Sequence, residues 1–567
     1  MSWADWIVII LFLGYTLWDG TRGETKKKGN LDDQLLAGRN KSWFAIGVSV
    51  LATQASAITF IGTTGQAFMQ DMKFVQFYFG LPIAMVILCV TLVPFYVRIK
   101  AYTAYELLET RFDTRLRLTT SGLFLLSRGL SMGISIAAPA YVLALILEIQ
   151  LNYTILIIGI TATVYTMFGG INGVIRTDMK QMFLMLLGLG FCFFWIVQHL
   201  PEEAHGTNAL KLAGALGKLE SISFSTSTSE KYSIWSGIIA GTFLMLSYFG
   251  SDQSQVQRYL TARSLKDARM SLIFPAIVKV PMQFGILLLG VYLYVFYVFT
   301  DHPPVFNADV HEGIAAQQIV DKEFELAHSA RRLAAMAYLQ SPTEENKQEL
   351  IKRDGHIQDI RQQELTRRSE LLAKKADDTN YVMPYFILQE MPRGILGLII
   401  AAIFAAALSS IDSGLNSLAA SSVMDWYQKL EAKPKPEHHY FVLSRVATAF
   451  WGIVGTCSAL AFGETEAIVE LVNRIGSYFY GSILGVFLLI WVKRADGFSS
   501  VVALASGIIF VVLTGMVHQD AAGSYLFAWN APPSFHPLVS YLWLNPIGTL
   551  IVLFIGWALG KNKKAPS

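Results

Sequence analysis

Charge is scarce in this sequence. Asp, Glu, Lys and Arg make up 15% of its 567 residues against 53% for the apolar set, and the mean hydropathy is +0.43. Soluble domains carry about 25% charged residues, so a soluble enzyme of this length is excluded. Cysteine is rarer still: Cys89, Cys192 and Cys457 all stand in apolar stretches and read as small core hydrophobes, which leaves no disulfide framework. No HExxH, GxSxG, P-loop or CxxC pattern stands where it could do chemistry, and no catalytic role is expected. No basic flank precedes the first apolar segment after Met1-Ser-Trp-Ala-Asp, so no cleavable signal peptide is expected. The partners implied are a lipid bilayer and a small-molecule solute, with no nucleic acid.

What the chain has instead is apolar runs of about 18 residues or more, each long enough to cross hydrocarbon. About 13 transmembrane helices are expected, beginning near Trp3, Trp43, Gln76, Leu118, Tyr153, Gln181, Ile234, Ser271, Arg393, Tyr440, Ala467, Ser500 and Tyr541. Basic residues gather in alternate loops: Arg22 to Lys41, Arg98 to Arg117, Arg176 and Lys180, Arg258 to Arg269, and Lys493 and Arg494, with Lys561, Lys563 and Lys564 in the tail. By the positive-inside rule those loops are cytoplasmic, which puts the N-terminus outside and the C-terminus inside a plasma membrane, the inner membrane in a bacterium. Residues 303–383 break the pattern, being rich in charge with no span. Glu312 to Leu339 and Thr343 to Lys375 read as two amphipathic helices, with Ser341 as N-cap of the second, Pro342 at its first position and Glu344 as capping-box acid. Parity places this hairpin outside the cell.

Polar residues inside apolar helices mark the working parts, because polar groups in lipid are costly and must face protein or water. The run AAALSSIDSGLNSLAASS, Ala405 to Ser422, brings Ser409, Ser410 and Ser413 onto adjacent faces of one helix. Such hard oxygens suit a small bare cation. Two further segments, Leu51 to Gly65 and Ser247 to Gln255, place small and polar residues mid-span. They read as discontinuous helices whose freed carbonyls can hold a cation at the bilayer midplane. These interruptions open the second and seventh spans, the spacing that a five-plus-five inverted-repeat core with two discontinuous helices requires. Arg128, Lys279 and Arg474 are intramembrane cations needing partners, with Asp178 and Asp412 as the acidic counterparts.

Taken together these segments resemble the sodium:solute symporter family, from about Leu36 to Arg494. LLAGRNKSWFAIGVSVLATQASAITFIG is similar to its opening signature, and TAYELLETRF to a Tyr-Glu-(Tyr/Leu)-Leu-Glu-x-Arg-Phe motif. YTMFGGINGVIRTDMKQ, DQSQVQRYLTARSLKDAR and AAALSSIDSGLNS resemble three more of its segments. The resemblance implies an all-α membrane protein that carries a solute with Na⁺ by alternating access. It implies a sodium site made of the carbonyls of Ala52, Ala55 and Ala406 and the hydroxyls of Ser409 and Ser410. A second sodium would draw on Asp178, Ser409, Asp412 and Ser413, where Asp412 replaces the serine typical of members that hold one. The candidate solute ligands are Gln54, Thr59, Thr63, Phe77, Tyr78, Arg128, Tyr248, Lys279, Asn473 and Arg474. Thr59, Tyr78, Met245 and Val472 stand where sugar-carrying members have amides or acids, which argues against a hexose. ISIAAPAYVLALIL is nearer to the iodide, biotin and monocarboxylate branch, and Arg128 and Arg474 would suit an anion.

The expected division is residues 1–41 as an extra span and loop, 42–200 and 232–494 as the two core repeats, and 495–567 as two peripheral spans and a basic tail. The hairpin at 303–383 interrupts the second repeat. A proton-coupled carrier with Asp178 or Asp412 as its proton site, and a transporter-like sensor, are the alternatives.

Overall fold

In a computed structural model the chain is described over residues 1–22, 30–307, 314–372, 377–462, 468–520, 522–529, 532 and 535–561. It is an α-helical bundle with, among the described residues, 7 helices long and apolar enough to cross a membrane, or up to 8 when the bent pair Trp43–Gln54 and Thr59–Met69 counts as one. Shorter apolar helices at Ser236–Gly250, Gly476–Trp491 and Leu544–Leu559 fill in the bundle. The longest helix, Leu151–Gln198, has 48 residues. At about 1.5 Å per residue it is more than twice the hydrocarbon thickness. It turns at Gly170, whose φ of 55° and ψ of −160° are open to glycine but not to a side chain.

Both interruptions have a local cause. Helix Trp43–Gln54 ends at Ala55, whose φ of −92° and ψ of 59° are non-helical, and Ala57–Met69 restarts at an angle of 53°. Helix Gly241–Gly250 stops at Ser251, and Asp252 caps the next helix, Gln253–Leu260, by accepting from the Ser254 N–H at 2.9 Å. Helix Ile395–Ser421 lies at the centre, buried along nearly its whole length and packed most extensively on Leu151–Gln198. Its small residues permit that close approach.

The charged hairpin is two packed helices, Ile314–Gln340 and Glu344–Leu372. The outer ends of the expected pair, at 308–313 and 373–376, lie outside the described residues. The cap differs from expectation. Thr343 accepts from the Asn346 N–H at 3.3 Å, so Thr343 caps the helix, and Pro342 lies before it instead of at its first position. The Thr343 N–H is already turned back onto the Ser341 carbonyl at 2.8 Å, which keeps Ser341 upstream of the helix. The hairpin is tied down by buried pairs, Arg331 to Asp354 at 3.3 Å and Arg361 to Asp378 at 3.0 Å. Lys218, from the loop beside it, donates to the carbonyls of Phe68, Met69 and Gln70 at 2.8, 3.0 and 3.1 Å, closing the end of Ala57–Met69. Two smaller departures stand out. A three-stranded antiparallel sheet (Val517–Asp520 between Tyr525–Phe527 and Phe535–Pro537) joins the last two helices of an otherwise α-helical chain. Cys457 is exposed on its helix and is not a core residue, whereas Cys89 and Cys192 are buried.

At the end of the bundle opposite the hairpin, Arg117 gathers three carboxylates: Glu109 at 2.6 Å, Asp425 at 2.8 Å and Glu106 at 3.4 Å. Burial, partly offset by Arg117, pushes the Glu106 carboxyl up to about 7. Glu109 is also penalised by burial, but hydrogen bonds from Lys429, Arg117 and Thr114 hold it down at about 2. Because the Glu106 value is raised on folding, its stability contribution is complete below about 4.5 and is lost as pH climbs to about 7. In a Glu106→Gln variant the fall in Tm between those pH values flattens, and the variant melts higher than the wild type at pH 8. Parallel Tm-versus-pH curves for the two proteins would refute that role.

Candidate functional site

Below the first interruption a polar cluster joins four helices. Ser49 and Thr53 lie one turn apart on Trp43–Gln54, facing Asp178 and the serines of Ile395–Ser421. Ser409 Oγ donates to Asp178 Oδ1 at 2.5 Å, and Ser49 Oγ donates to Asp178 Oδ2 at 2.5 Å. Ser410 Oγ donates to the Thr53 carbonyl at 3.1 Å, stitching the central helix to the interrupted one. Ser413 Oγ bonds the Ser409 carbonyl at 2.6 Å and lies 3.1 Å from Thr53 Oγ1. Asp412 accepts from the Tyr165 hydroxyl at 2.6 Å. Asp178, Asp412, Ser409 and Ser413 are all buried.

The residues expected to hold the first sodium lie against this cluster. With its proton given to Asp178, the Ser409 hydroxyl keeps its lone pairs for a cation. The carbonyls of Thr53 and Gln54 are taken, by Ser410 in one case and by Thr59 and Lys279 in the other. Among the described residues the carbonyls of Ala52 and Ala55 are not taken. The donor set is neutral oxygen with a carboxylate behind it, a fit for a hard monovalent cation.

Arg258 is the residue sequence reading placed wrongly. Counted among the loop cations, it is fully buried inside this cluster. Its Nη2 meets Asp178 Oδ2 at 3.1 Å and also donates to Ser413 Oγ. Its Nε donates to Ser49 Oγ at 2.9 Å and its Nη1 to the Ser254 carbonyl at 2.7 Å. Asp178 is therefore the counterpart of Arg258, not of Arg128 or Lys279, because the cap at Asp252 turns the helix carrying Arg258 into the bundle. No signal in the motif DQSQVQRYL marks this; it is the structure that buries Gln253 to Leu260 without exception.

Above the cluster a cavity of about 180 Å³ opens between the two interruptions. Gln54, Thr59, Phe77, Tyr78, Arg128 and Tyr248 line it, together with Thr53, Met245, Ser410 and Tyr480. Ser410 thus both lines the cavity and bonds the interrupted helix at the Thr53 carbonyl. Gln54 Nε2 has no partner among the described residues, which leaves an amide donor at the cavity wall. Arg128 donates to Ser254 Oγ at 2.9 Å and stands 3.9 Å from Asp252, whose carboxylate also accepts from Tyr480 at 3.1 Å. Neither Asp252 nor Tyr480 was singled out from sequence, since a capping aspartate and one tyrosine among many carry no distinguishing pattern. Thr63 and Lys279 do not line the cavity. Thr63 bonds the Thr59 carbonyl, while the buried Lys279 lies behind the wall, 3.3 Å from the Gln54 carbonyl and 4.9 Å from the centre of the Tyr78 ring. The side chains of Asn473 and Arg474 lie outside the described residues.

A bundle interrupted at two helices around a polar cavity, with a buried cluster of hydroxyls and carboxylates beside it, is the architecture of a membrane carrier. The model of the sodium:solute symporter family matches residues 35–323 and 365–529, and the chain belongs to that family. The gap in that match falls on the hairpin. Among curated relatives, the sodium/sialic acid symporter NanT of Aliivibrio fischeri is 25% identical over 98% of this chain and 92% of its own length. The human sodium-coupled monocarboxylate transporter 1 is 25% identical over 98% and 85%. The human sodium/iodide cotransporter is 28% identical over 53% and 45%. The solved structure of a substrate-bound, outward-open Na⁺-coupled sialic acid symporter superposes with a TM-score of 0.74, at 24% identity, covering 98% of this chain and 97% of that one. The chain is a sodium-coupled secondary transporter of a solute.

Proposed function

We propose that the chain takes up a small organic anion with Na⁺ by alternating access. The observation that carries the anion is Arg128, a cavity-lining guanidinium whose nearest described carboxylate is 3.9 Å away, beyond good hydrogen-bond reach. Sialic acid, iodide and monocarboxylates, the solutes in the names of the three relatives given above, are anions and favour the same reading, while another relative at 25% identity is a sodium/glucose cotransporter. Sodium is held by the carbonyls of Ala52, Ala55 and Ala406 with Ser409 and Ser410, pinning the first interrupted helix to the central one. Solute then binds against Gln54, Arg128 and Tyr248, the cavity closes, and sodium leaves inward.

In this reading the chain crosses the membrane 13 times, with Leu151–Gln198 counted twice and each interrupted pair once. The N-terminus and the hairpin are outside, and the basic loops and the C-terminus are inside. Residues 42–200 and 232–494 form the two inverted repeats, with 1–41 and 495–567 peripheral. The driving force is modest. One charge through 100 mV supplies about 2.3 kcal/mol, and a tenfold sodium gradient about 1.4 kcal/mol. Together they sustain a gradient of several hundredfold for a neutral solute; a monoanion moved with one Na⁺ forgoes the electrical part.

A thermal-shift screen of the purified protein, Na⁺ against K⁺ and choline, crossed with a solute library, tests both halves. Stabilisation by Na⁺ that deepens with an organic anion is expected. In Arg128→Gln the added shift from the anion disappears while the shift from Na⁺ alone remains. Indifference to Na⁺, with a solute response that follows pH instead, would replace this reading by a proton-coupled one.

A further inference from the structure

We infer that a second sodium position is filled by the protein itself: the Arg258 guanidinium stands where a second ion would sit, and a single Na⁺ is bound per cycle. This rests on the sodium reading above and adds its stoichiometry. Asp178, Ser409, Asp412 and Ser413 are the residues a second-ion site would draw on, but the oxygens of Asp178, Asp412 and Ser413 are already engaged. Asp178 Oδ1 accepts from Ser409, and Oδ2 accepts from both Ser49 and Arg258. Ser413 Oγ takes the guanidinium while bonding the Ser409 carbonyl. Asp412 accepts from Tyr165 on Oδ2, and its Oδ1 lies 3.1 Å from Ser413 Oγ. A hard cation needs unoccupied oxygen lone pairs directed at one point, and this arrangement directs them at a nitrogen.

The tether is firm. Asp252 caps the helix carrying Arg258, and the third guanidinium nitrogen, Nη1, is held by the Ser254 carbonyl at 2.7 Å. Arginine does not release its proton, so it is a permanent cation. A second Na⁺ beside the guanidinium would set two cations against Asp178 among buried groups, which is costly. Ser254 also joins the two arginines, its carbonyl on Arg258 and its hydroxyl on Arg128 of the cavity, so the built-in cation and the solute guanidinium share one anchor.

Equilibrium binding of ²²Na⁺ to the purified full-length protein reads the count without a known solute. The wild type is expected to bind one Na⁺ per chain with a Hill coefficient of one, and two would overturn the inference. Arg258→Lys, which keeps the charge, is expected to stay at one. Folded Arg258→Met, with Asp178 left unpaired, is expected to rise to two; a count still at one would show that the guanidinium is not what fills the position. Should that variant not fold, Ser413→Ala decides. Sodium affinity within twofold of wild type supports the inference, and a tenfold loss overturns it. No bound Na⁺ at all would instead sink the sodium reading on which this one stands.

Discussion

Replacing Ser409 and Ser410 together by alanine abolishes sodium-dependent stabilisation and sodium-dependent uptake. Both hydroxyls are committed: one hands its proton to Asp178 and turns its lone pairs to the cation, and the other bridges to the Thr53 carbonyl at 3.1 Å. Their loss removes two of five proposed oxygens and the stitch between the central and interrupted helices. Sodium affinity is expected to fall at least about 100-fold, equivalent to about 2.7 kcal/mol. The fold is expected to survive, because alanine suits a close-packed helix of small residues. Sodium titrations of the single variants separate the contributions, with each expected to lose about tenfold and the pair more than either. An unchanged sodium response in the double variant would remove these residues from the mechanism.

Asp178→Asn unfolds at a markedly lower temperature than the wild type. The Asp178–Arg258 pair is fully buried, at 3.1 Å, with Ser49 and Ser413 bonded to the same guanidinium. Removing one member leaves the other as an uncompensated buried charge, a loss of about 3–5 kcal/mol. Arg128→Gln is the contrasting case. Its partner Asp252 is 3.9 Å away, and Asp252 keeps its bonds to Ser254 and Tyr480 when the guanidinium is gone. That variant is expected to melt within a few degrees of wild type while losing its anion response. Equal losses of Tm in the two variants would mean that both pairs are structural.

The class of protein was legible in composition, because nothing but a bilayer accommodates this much apolar sequence with so little charge. The interruptions were legible as well, since the segments Leu51 to Gly65 and Ser247 to Gln255 set small and polar residues inside otherwise apolar helices. Arg258 was not legible. A basic residue after a polar stretch looks the same whether the chain leaves the membrane or turns back into it. Only the cap at Asp252 and the packing of Gln253–Leu260 decide between those courses.

By itself the sequence determined what local chemistry can determine: where helices run, where they break, and which residues carry hard oxygens, since each follows from hydropathy, capping and side-chain type within a few turns. The tertiary structure alone decided which charges meet. Asp178 and Arg258 are far apart in the chain, as are Arg128 and Asp252. Pairing over such separations depends on how helices cross, and no pattern along the chain encodes the crossing. It was this that put a guanidinium among the serines expected to hold a second ion and set Lys279 behind the cavity wall.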